Sequence, residues 1–266
     1  MIDHKLFNKR IDEQLYTNEG CCPYYDECCA SMSSYKNKLQ FYRTRIGKNY
    51  DNEPIKILVV GQEDVGEEKK YECCELVTMK EAGYNKHYLR TFYTVAQILL
   101  NNDELPTDYD NDIRREKFEG LRHRFALTNY YKCAFSNDNK NSDVKHSKIM
   151  EENCLKHLIE EIVMLKPDIV ILQGKNHKTF WNKRIKWSEE ACIKKIELNK
   201  KHYDIGLYKI TDIKGIDINE IGKTIYIIDS YHPTSRGIWT NDNVLNPFIE
   251  LLNKAKKCIE LSQNLS

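Results

Sequence analysis

The chain has 266 residues, of which 41% are hydrophobic and 11% aromatic, enough apolar side chains to build a sizeable core. Its 41 basic and 40 acidic residues give a net charge of +1, which excludes a polybasic protein but allows a local basic patch. It has no run of 18 apolar residues, and residues 1–10 are polar and charged. The sequence therefore predicts a cytoplasmic protein without a membrane span or a secretory signal.

The ten cysteines are unusual for such a chain, because thiols in the cytoplasm stay reduced rather than forming disulfides. Four of them lie within residues 20–30, as the adjacent pairs Cys21-Cys22 and Cys28-Cys29. Single free cysteines are common in cores, but this clustering is not a core pattern. The sequence leaves two interpretations open: thiols that bind a metal or a cluster, and inert thiols.

Four short, apolar and β-branched segments predict buried strands. They are residues 55–60, 125–131, 168–173 and 224–231. Apolar residues at helical spacing fill 90–100 and 155–165, and a further helix is predicted over 247–261. Strands that alternate with helices and are apolar on both faces indicate a covered parallel sheet. The sequence thus predicts an α/β fold, a three-layer α/β/α sandwich with a central four-stranded parallel sheet.

The remaining segments suggest how the chain is divided. Residues 1–50 are predicted to form a cysteine-bearing N-terminal extension packed on the core, with helices over 5–15 and 34–46. Residues 51–266 form the main domain. Within it, residues 193–222 interrupt the strand–helix alternation and contain three glycines, which indicates an inserted hairpin or loop.

In an open parallel sheet, ligands bind beyond the carboxyl ends of the strands, so the residues that follow each strand matter most. Taken singly, each of these residues has a structural explanation as part of a tight turn or a cap. Their joint placement at one edge of the sheet predicts a site. The candidates are Gly61, Gln62, Glu63, Asp64, Asn129 and His232.

Four motifs in order, one at each strand end, resemble the uracil-DNA glycosylase superfamily. They read Val-Val-Gly-Gln-Glu, Leu-Thr-Asn-Tyr-Tyr-Lys-Cys, Pro-Asp-Ile-Val-Ile-Leu-Gln-Gly and His-Pro-Thr. The chain is most similar to the iron–sulfur-containing bacterial and archaeal branch, because Cys133 follows the second motif and Cys154 opens the next helix. The resemblance covers residues 54–255 and the N-terminal cysteines. It implies an enzyme that hydrolyses the N-glycosidic bond of a flipped-out uracil in DNA, as in base-excision repair.

The resemblance also implies roles for individual residues. Asn129 would read the uracil edge with its carboxamide, and His232 would lie by O2 of the departing base. Glu63 or Asp64 would position the water, and the loop lacks the proline usual in this branch, which leaves the choice between them open. The other substrate-binding candidates are Gly61 and Gln62 near the base, Tyr71, Tyr84 and Tyr88 for stacking, and Arg236 beside the duplex.

The same branch binds a [4Fe-4S] cluster through four cysteines, which implies ligands among the thiols of this chain. The implied set is Cys22, Cys28, Cys133 and Cys154, although Cys21 with Cys29 has an equally plausible spacing for the N-terminal pair. A zinc ion would use the same thiolates. In either case we expect a structural role, in which the site ties the N-terminus to the domain.

Residues 175–201 carry nine Lys or Arg residues against three Glu, with Trp181 and Trp187 among them. Phosphate contact beside the pocket and a solvated amphipathic helix both explain this pattern. We expect a monomer whose partner is DNA and which does not bind membranes. Two alternatives to uracil excision stay open: a glycosylase for a different modified base, and a non-catalytic nucleic-acid-binding protein of the same fold.

Overall fold

The computed structural model describes residues 13–16, 22–34, 37–39, 44–61, 86–105, 116–132, 134–136, 144–174, 184–198, 201–230 and 242–264. Its strands are β1 (Asn37–Leu39), β2 (Arg45–Ile46), β3 (Ile57–Gly61), β4 (Ala126–Asn129), β5 (Ala134–Ser136), β6 (Val144–Lys145), β7 (Ile169–Gln173), β8 (Ile185–Leu198), β9 (Lys201–Ile213) and β10 (Tyr226–Ser230). Its helices are α1 (Tyr25–Ser31), α2 (Lys86–Leu99), α3 (Glu116–Glu119), α4 (Lys148–Leu165), α5 (Ile218–Ile221) and α6 (Asp242–Gln263). None of the helices described is both long and apolar enough to cross a membrane.

The main sheet has seven strands in the order β2-β4-β3-β7-β10-β9-β8. Its four central strands, β4, β3, β7 and β10, are parallel, whereas β2, β9 and β8 join the edges antiparallel. The predicted four-stranded parallel sheet is therefore confirmed as the centre of a larger sheet. A separate three-stranded sheet has the order β1-β5-β6.

Helices cover both faces of the main sheet, which confirms the predicted three-layer sandwich. Side chains of β3 alternate between two cores: Ile57 and Val59 pack with α2 and α6, while Leu58 and Val60 pack with α4. Every residue of β3, β4 and β7 is buried, as expected for parallel strands that have helices on each side.

The helices predicted between the strands are confirmed, since α2, α4 and α6 cover the expected segments. One helix prediction is wrong, and one of the two interpretations of residues 175–201 is excluded for the residues that the structure describes there. Within 34–46 the described backbone forms β1 and β2, and β2 gains its backbone hydrogen bonds from the edge of β4. Within 175–201 the described residues from Ile185 onward form strand β8, which excludes the amphipathic helix there. In both places pairing with a neighbouring strand outweighs local spacing.

A buried ion pair joins the end of β4 to α4. The side chains of Lys132 and Glu161 are fully buried, and Nζ of Lys132 lies 2.7 Å from each carboxylate oxygen of Glu161. Three hydroxyls complete the network: Thr128 donates to Oε2 at 3.1 Å, Tyr16 donates to Oε1 at 3.2 Å, and Thr44 also donates to Oε1. Buried charges are tolerated only when paired and hydrogen-bonded in this way.

The imidazole of His157 flanks the same carboxylate, with Nε2 3.4 Å from Oε1 of Glu161 and Nδ1 3.6 Å from Oε2 of Glu160. Burial lowers the pKa of His157, but the two carboxylates raise it more, so it lies above its ordinary value. Burial raises the pKa of Glu161, but Lys132 and His157 lower it more, so it lies below its ordinary value. Each shift favours the charged form, which makes the network a set of paired charges.

Replacing Glu161 by Gln should destabilise the fold, because the ammonium group of Lys132 would stay buried without its counter-charge. We expect Glu161→Gln to lower the free energy of unfolding at pH 7 by about 3–5 kcal/mol in urea titrations. Since the pKa of Glu161 is depressed, its contribution is present above the ordinary pKa of 4.5 and is lost as the pH falls through the folded-state value. The difference from wild type should therefore shrink below about pH 4.5.

Asp212→Asn is a matched control, because Asp212 forms a solvent-exposed pair with Lys186 at 3.3 Å. This variant should lose less than about 1 kcal/mol. Equal losses in the two variants at pH 7 would contradict the stabilising role of the buried pair.

Candidate active site

The last residues of β3 and β4 meet at the carboxyl edge of the parallel sheet. Gly61 and Asn129 are register partners in these neighbouring strands. The backbone N–H of Tyr130 donates to the carbonyl of Gly61 at 2.8 Å, which extends the pairing into the following turn. The structure thus brings together the two candidate residues that end the first two predicted strands.

The carboxamide of Asn129 occupies the space that a side chain on Gly61 would need. A Cβ atom at Gly61 would lie 2.5 Å from Oδ1 of Asn129, well inside van der Waals contact. The backbone of Gly61 is not left-handed, so close approach rather than backbone conformation requires a glycine here. Only 6% of Asn129 is exposed, so a nearly buried amide is held at a fixed position beside the strand end.

Two further polar residues continue this row along the edge. Gln173 ends β7 and pairs in register with Ser230, which ends β10. Both are buried, and Oγ1 of Thr91 in α2 donates to Oε1 of Gln173 at 3.1 Å. Ser230 donates to the carbonyl of Leu172 at 2.9 Å. Sequence reasoning missed Gln173, although a polar residue that ends an apolar strand run was the available signal.

Side chains of a strand point alternately to the two faces of the sheet, and this alternation places Gly61, Asn129, Gln173 and Ser230 on the face covered by α2. Val59 belongs to the core beneath α2, and Gly61, two residues further along β3, has the same facing. Leu127 packs in that core as well, so Asn129 faces the same side, whereas Thr128 faces α4 and its ion pair. The candidate site and the charged network therefore lie on opposite faces of the same strand end.

Tyr88, a candidate for base stacking, packs as a core residue near the start of α2. It is 9% exposed, and its ring centroid lies 4.6 Å from that of Phe92 at an interplanar angle of 48°. Phe92 in turn makes an edge-on contact with Phe125 at 5.3 Å. These contacts give the ring a packing role, and its stacking role stays a prediction.

Several candidates lie outside the described residues, and their roles stay predictions. They are Gln62, Glu63, Asp64, Tyr71, Tyr84, His232 and Arg236 of the active site and Cys21 and Cys133 of the thiol set.

The three described ligand candidates lie where α1 packs against α4. Cys22, Cys28 and Cys154 are 3%, 2% and 3% exposed. Polar contacts hold the helices together: Asn153 donates to Oε2 of Glu27 at 2.8 Å and contacts Sγ of Cys28 at 3.8 Å. These contacts bring cysteines that are far apart in the sequence into one buried region.

The electrostatics of the thiols reflect this burial. Burial raises the pKa of Cys22 to about 12, and the nearby thiols of Cys154 and Cys28 add to the rise, against a smaller lowering by a backbone hydrogen bond. The backbone N–H of Lys132 donates to Sγ of Cys154 at 3.5 Å. Among the residues that the structure describes, no three His, Cys, Asp or Glu side chains lie close enough together to hold a metal ion. The chemistry of the donors nevertheless fits thiolate ligation, because a bound cation lowers the pKa of its thiols.

The family model of the uracil DNA glycosylase superfamily matches residues 79–256, which is roughly two-thirds of the chain. A search of curated proteins finds no match. The matched region contains Asn129 and three of the four parallel strands, whereas β3 with Gly61 lies outside it. The chain therefore belongs to the uracil-DNA glycosylase superfamily, whose members are DNA glycosylases.

Proposed function

We propose that this protein hydrolyses the N-glycosidic bond of a uracil, or a closely related base, that is flipped out of DNA. The observation that carries the proposal is the carboxamide of Asn129, held nearly buried over Gly61 at the carboxyl edge. A carboxamide presents a donor and an acceptor side by side, which suits the hydrogen-bonding edge of a pyrimidine. Membership in a superfamily of DNA glycosylases supports the same reaction class.

The reaction needs few groups from the protein. The bond between the base nitrogen and C1′ breaks with its electron pair leaving on the base, and the sugar gains oxocarbenium character. Water then adds to C1′ and releases a proton, while the departing anion is stabilised and finally protonated. We assign stabilisation of the anion to His232 and positioning of the water to Glu63 or Asp64, all three by resemblance to the superfamily.

The chain's own residues support recognition of the base more directly than they support the chemical step. After Asn129, the backbone is held by the hydrogen bond from the N–H of Tyr130 to the carbonyl of Gly61. Before Asn129, the hydroxyl of Thr128 is held by its hydrogen bond to Glu161. A recognition group held this firmly loses little freedom on binding, which favours discrimination between bases.

We also propose that Cys22, Cys28, Cys133 and Cys154 hold a [4Fe-4S] cluster, or a zinc ion in its place. Burial of the three described thiols and the hydrogen bond from Lys132 to Cys154 support this assignment. These cysteines would hold the group as thiolates, and the bound group would tie the N-terminal segment to α4. Hydrolysis itself is left to the residues at the sheet edge.

Asn129→Asp should lower the rate of uracil excision about ten- to a hundredfold, because a donor of the carboxamide becomes an acceptor and leaves a buried group unpaired. The measurement is a single-turnover strand-nicking assay on labelled DNA that carries one uracil. Gly61→Ala should also lower the rate, since its Cβ would displace Oδ1 of Asn129. Gly120→Ala is the matched control, because a Cβ there meets nothing within 4 Å. Unchanged excision in Asn129→Asp would show that Asn129 only shapes a turn.

His232→Ala should lower the single-turnover rate about a hundred- to a thousandfold and leave DNA affinity nearly intact. The reason is that a preorganised donor stabilises the negative charge that develops on the leaving base more than it stabilises the bound substrate. Glu63→Ala and Asp64→Ala, compared in the same assay, identify the carboxylate that positions the water; we favour Glu63. Weakened DNA binding with normal turnover in His232→Ala would overturn its assigned role.

Anaerobically purified protein should contain iron, with a broad absorption near about 400 nm, or else zinc. Cys154→Ser should lose most of this metal and melt at a lower temperature, because metal binding and folding of the N-terminal segment are coupled. Cys258→Ser, in α6, changes a free thiol outside the proposed ligand set and should keep the metal. Wild-type protein that binds neither iron nor zinc would contradict the assignment.

A further inference from the structure

Gln173 carries the second carboxamide in the row of residues that ends the parallel strands. In the register of β3 and β7, Val60 is opposite Leu172. The next residues of these strands, Gly61 and Gln173, continue the row that begins at Asn129. Asn129 and Gln173 are thus two strand spacings apart, or about 10 Å at roughly 4.8 Å each. Because the strand between them ends in a glycine, two carboxamides border a strand end that has no side chain.

One end of the Gln173 carboxamide is fixed by helix α2. Its Oε1 accepts a hydrogen bond from Oγ1 of Thr91 at 3.1 Å, and the two residues are 2% and 1% exposed. Thr94, three residues further along α2, donates instead to the carbonyl of Arg90 in its own helix, a common partner for a helical threonine. The hydrogen bond from Thr91 therefore sets which end of the amide faces the helix, and Nε2 of Gln173 lies at the other end.

The amide nitrogen of Gln173 is the unusual group of this row. Among the residues that the structure describes, its Nε2 has no hydrogen-bond partner. Leaving a buried donor unpaired costs free energy, so buried polar groups in native proteins nearly always have a partner. A donor that lies at the ligand-binding edge of a parallel sheet can obtain its partner from the ligand.

The neighbours of Gln173 indicate which part of a ligand this donor would meet. Asn129, which we propose reads the base, lies two strands away on one side. On the other side lies Ser230, the register partner of Gln173, whose hydroxyl donates to the carbonyl of Leu172. In the sequence, His232 follows Ser230 by two residues. Gln173 therefore belongs to the part of the edge between the group that reads the base and the strand that precedes His232.

We propose that Nε2 of Gln173 donates a hydrogen bond to O2 of the flipped uracil, as a second donor beside His232. The inference rests on the proposed function for its choice of substrate. A carbonyl oxygen has two lone pairs and can accept from two donors. Negative charge grows on the base as the glycosidic bond breaks, and a donor whose other end is held by Thr91 is preorganised for that charge. Gln173 therefore raises the excision rate more than the affinity for DNA.

The test compares Gln173→Glu with Gln173→Met in single-turnover excision of uracil from labelled duplex DNA. The glutamate variant keeps an oxygen for the hydrogen bond from Thr91 but replaces the Nε2 donor by an acceptor, whereas the methionine variant lacks both groups. Gln97→Glu is the matched control, because Gln97 is a buried glutamine of α2 that is 4% exposed. It lies six residues beyond Thr91, or about 9 Å along the helix. Circular dichroism and thermal unfolding verify that the variants are folded.

At about pH 8 we expect both Gln173 variants to excise uracil at least about tenfold more slowly than wild type, because a donor to the leaving base is lost. Their affinity for the duplex should stay within about twofold of wild type, since the donor acts mainly on the transition state. Gln97→Glu should excise uracil at a rate near that of wild type.

The pH dependence separates a donor from a packing residue. Burial raises the pKa of the introduced carboxyl above its ordinary value of about 4.3, and its protonated form again has a donor. The rate of Gln173→Glu relative to wild type should therefore rise as the pH falls from about 8 to about 5. The relative rate of Gln173→Met should stay constant over the same range.

Two results would assign Gln173 a different role. Near-normal excision by Gln173→Glu at every pH, beside slow excision by Gln173→Met, would overturn the proposal and leave a packing role through Thr91. A loss of DNA affinity that accounts for the whole effect would also overturn it. If the glutamate variant does not fold, Gln173→Met decides alone, since normal excision by that variant excludes a donor role.

Failure of this inference and failure of the proposed function are separable in the same assay. Wild-type protein that excises uracil, with Gln173 variants that match it, would overturn the role of Gln173 and retain the glycosylase. Wild-type protein that excises no uracil would overturn the proposed function, and the role of Gln173 with it.

Discussion

The buried pair of Lys132 and Glu161 is the interaction on which the arrangement around the candidate site depends. It is the point where three parts of the chain meet: the N-terminal segment through Tyr16 and Thr44, the end of β4, and helix α4. Its two charges are fully buried, so each is tolerable only while the other is in place. Tyr16 and Thr44 of the N-terminal segment are therefore part of the same buried network as β4 and α4.

Desolvation offsets most of the Coulomb attraction in such a pair, whereas removal of one partner alone leaves a buried charge without compensation. The arrangement that the pair defines here includes both proposed sites. Lys132 follows Asn129 by three residues, its side chain holds Glu161, and its backbone N–H donates to the thiol of Cys154. One residue thus connects the turn that presents the carboxamide to the region of buried cysteines. Loosening of the N-terminal segment would consequently disturb the turn that follows Asn129 through this network.

The sequence predicted the central sheet well because parallel strands covered on both faces appear as continuous apolar runs, as in β3 and β7. It failed for β2, which has two residues and exists only through pairing with β4, a tertiary contact that has no local pattern. The sequence did not predict that Lys132 and Glu161 are buried. The two residues are 29 positions apart, and each is buried only because it is paired with the other. The residues that end the predicted strands did identify Gly61 and Asn129, because the register of parallel strands makes these two residues neighbours.

The order of the strands brings residues from all four parallel strands to one edge of the sheet. Asn129 ends β4 beside Gly61 of β3, and Gln173 ends β7 beside Ser230 of β10. From β4 to β10 there are three strand spacings, or about 14 Å at roughly 4.8 Å each. Contacts made far from a reacting bond stabilise bound substrate and transition state equally, so they affect affinity without affecting the chemical step. Groups of this edge that act on a chemical step must therefore lie at the strand ends nearest the reacting bond.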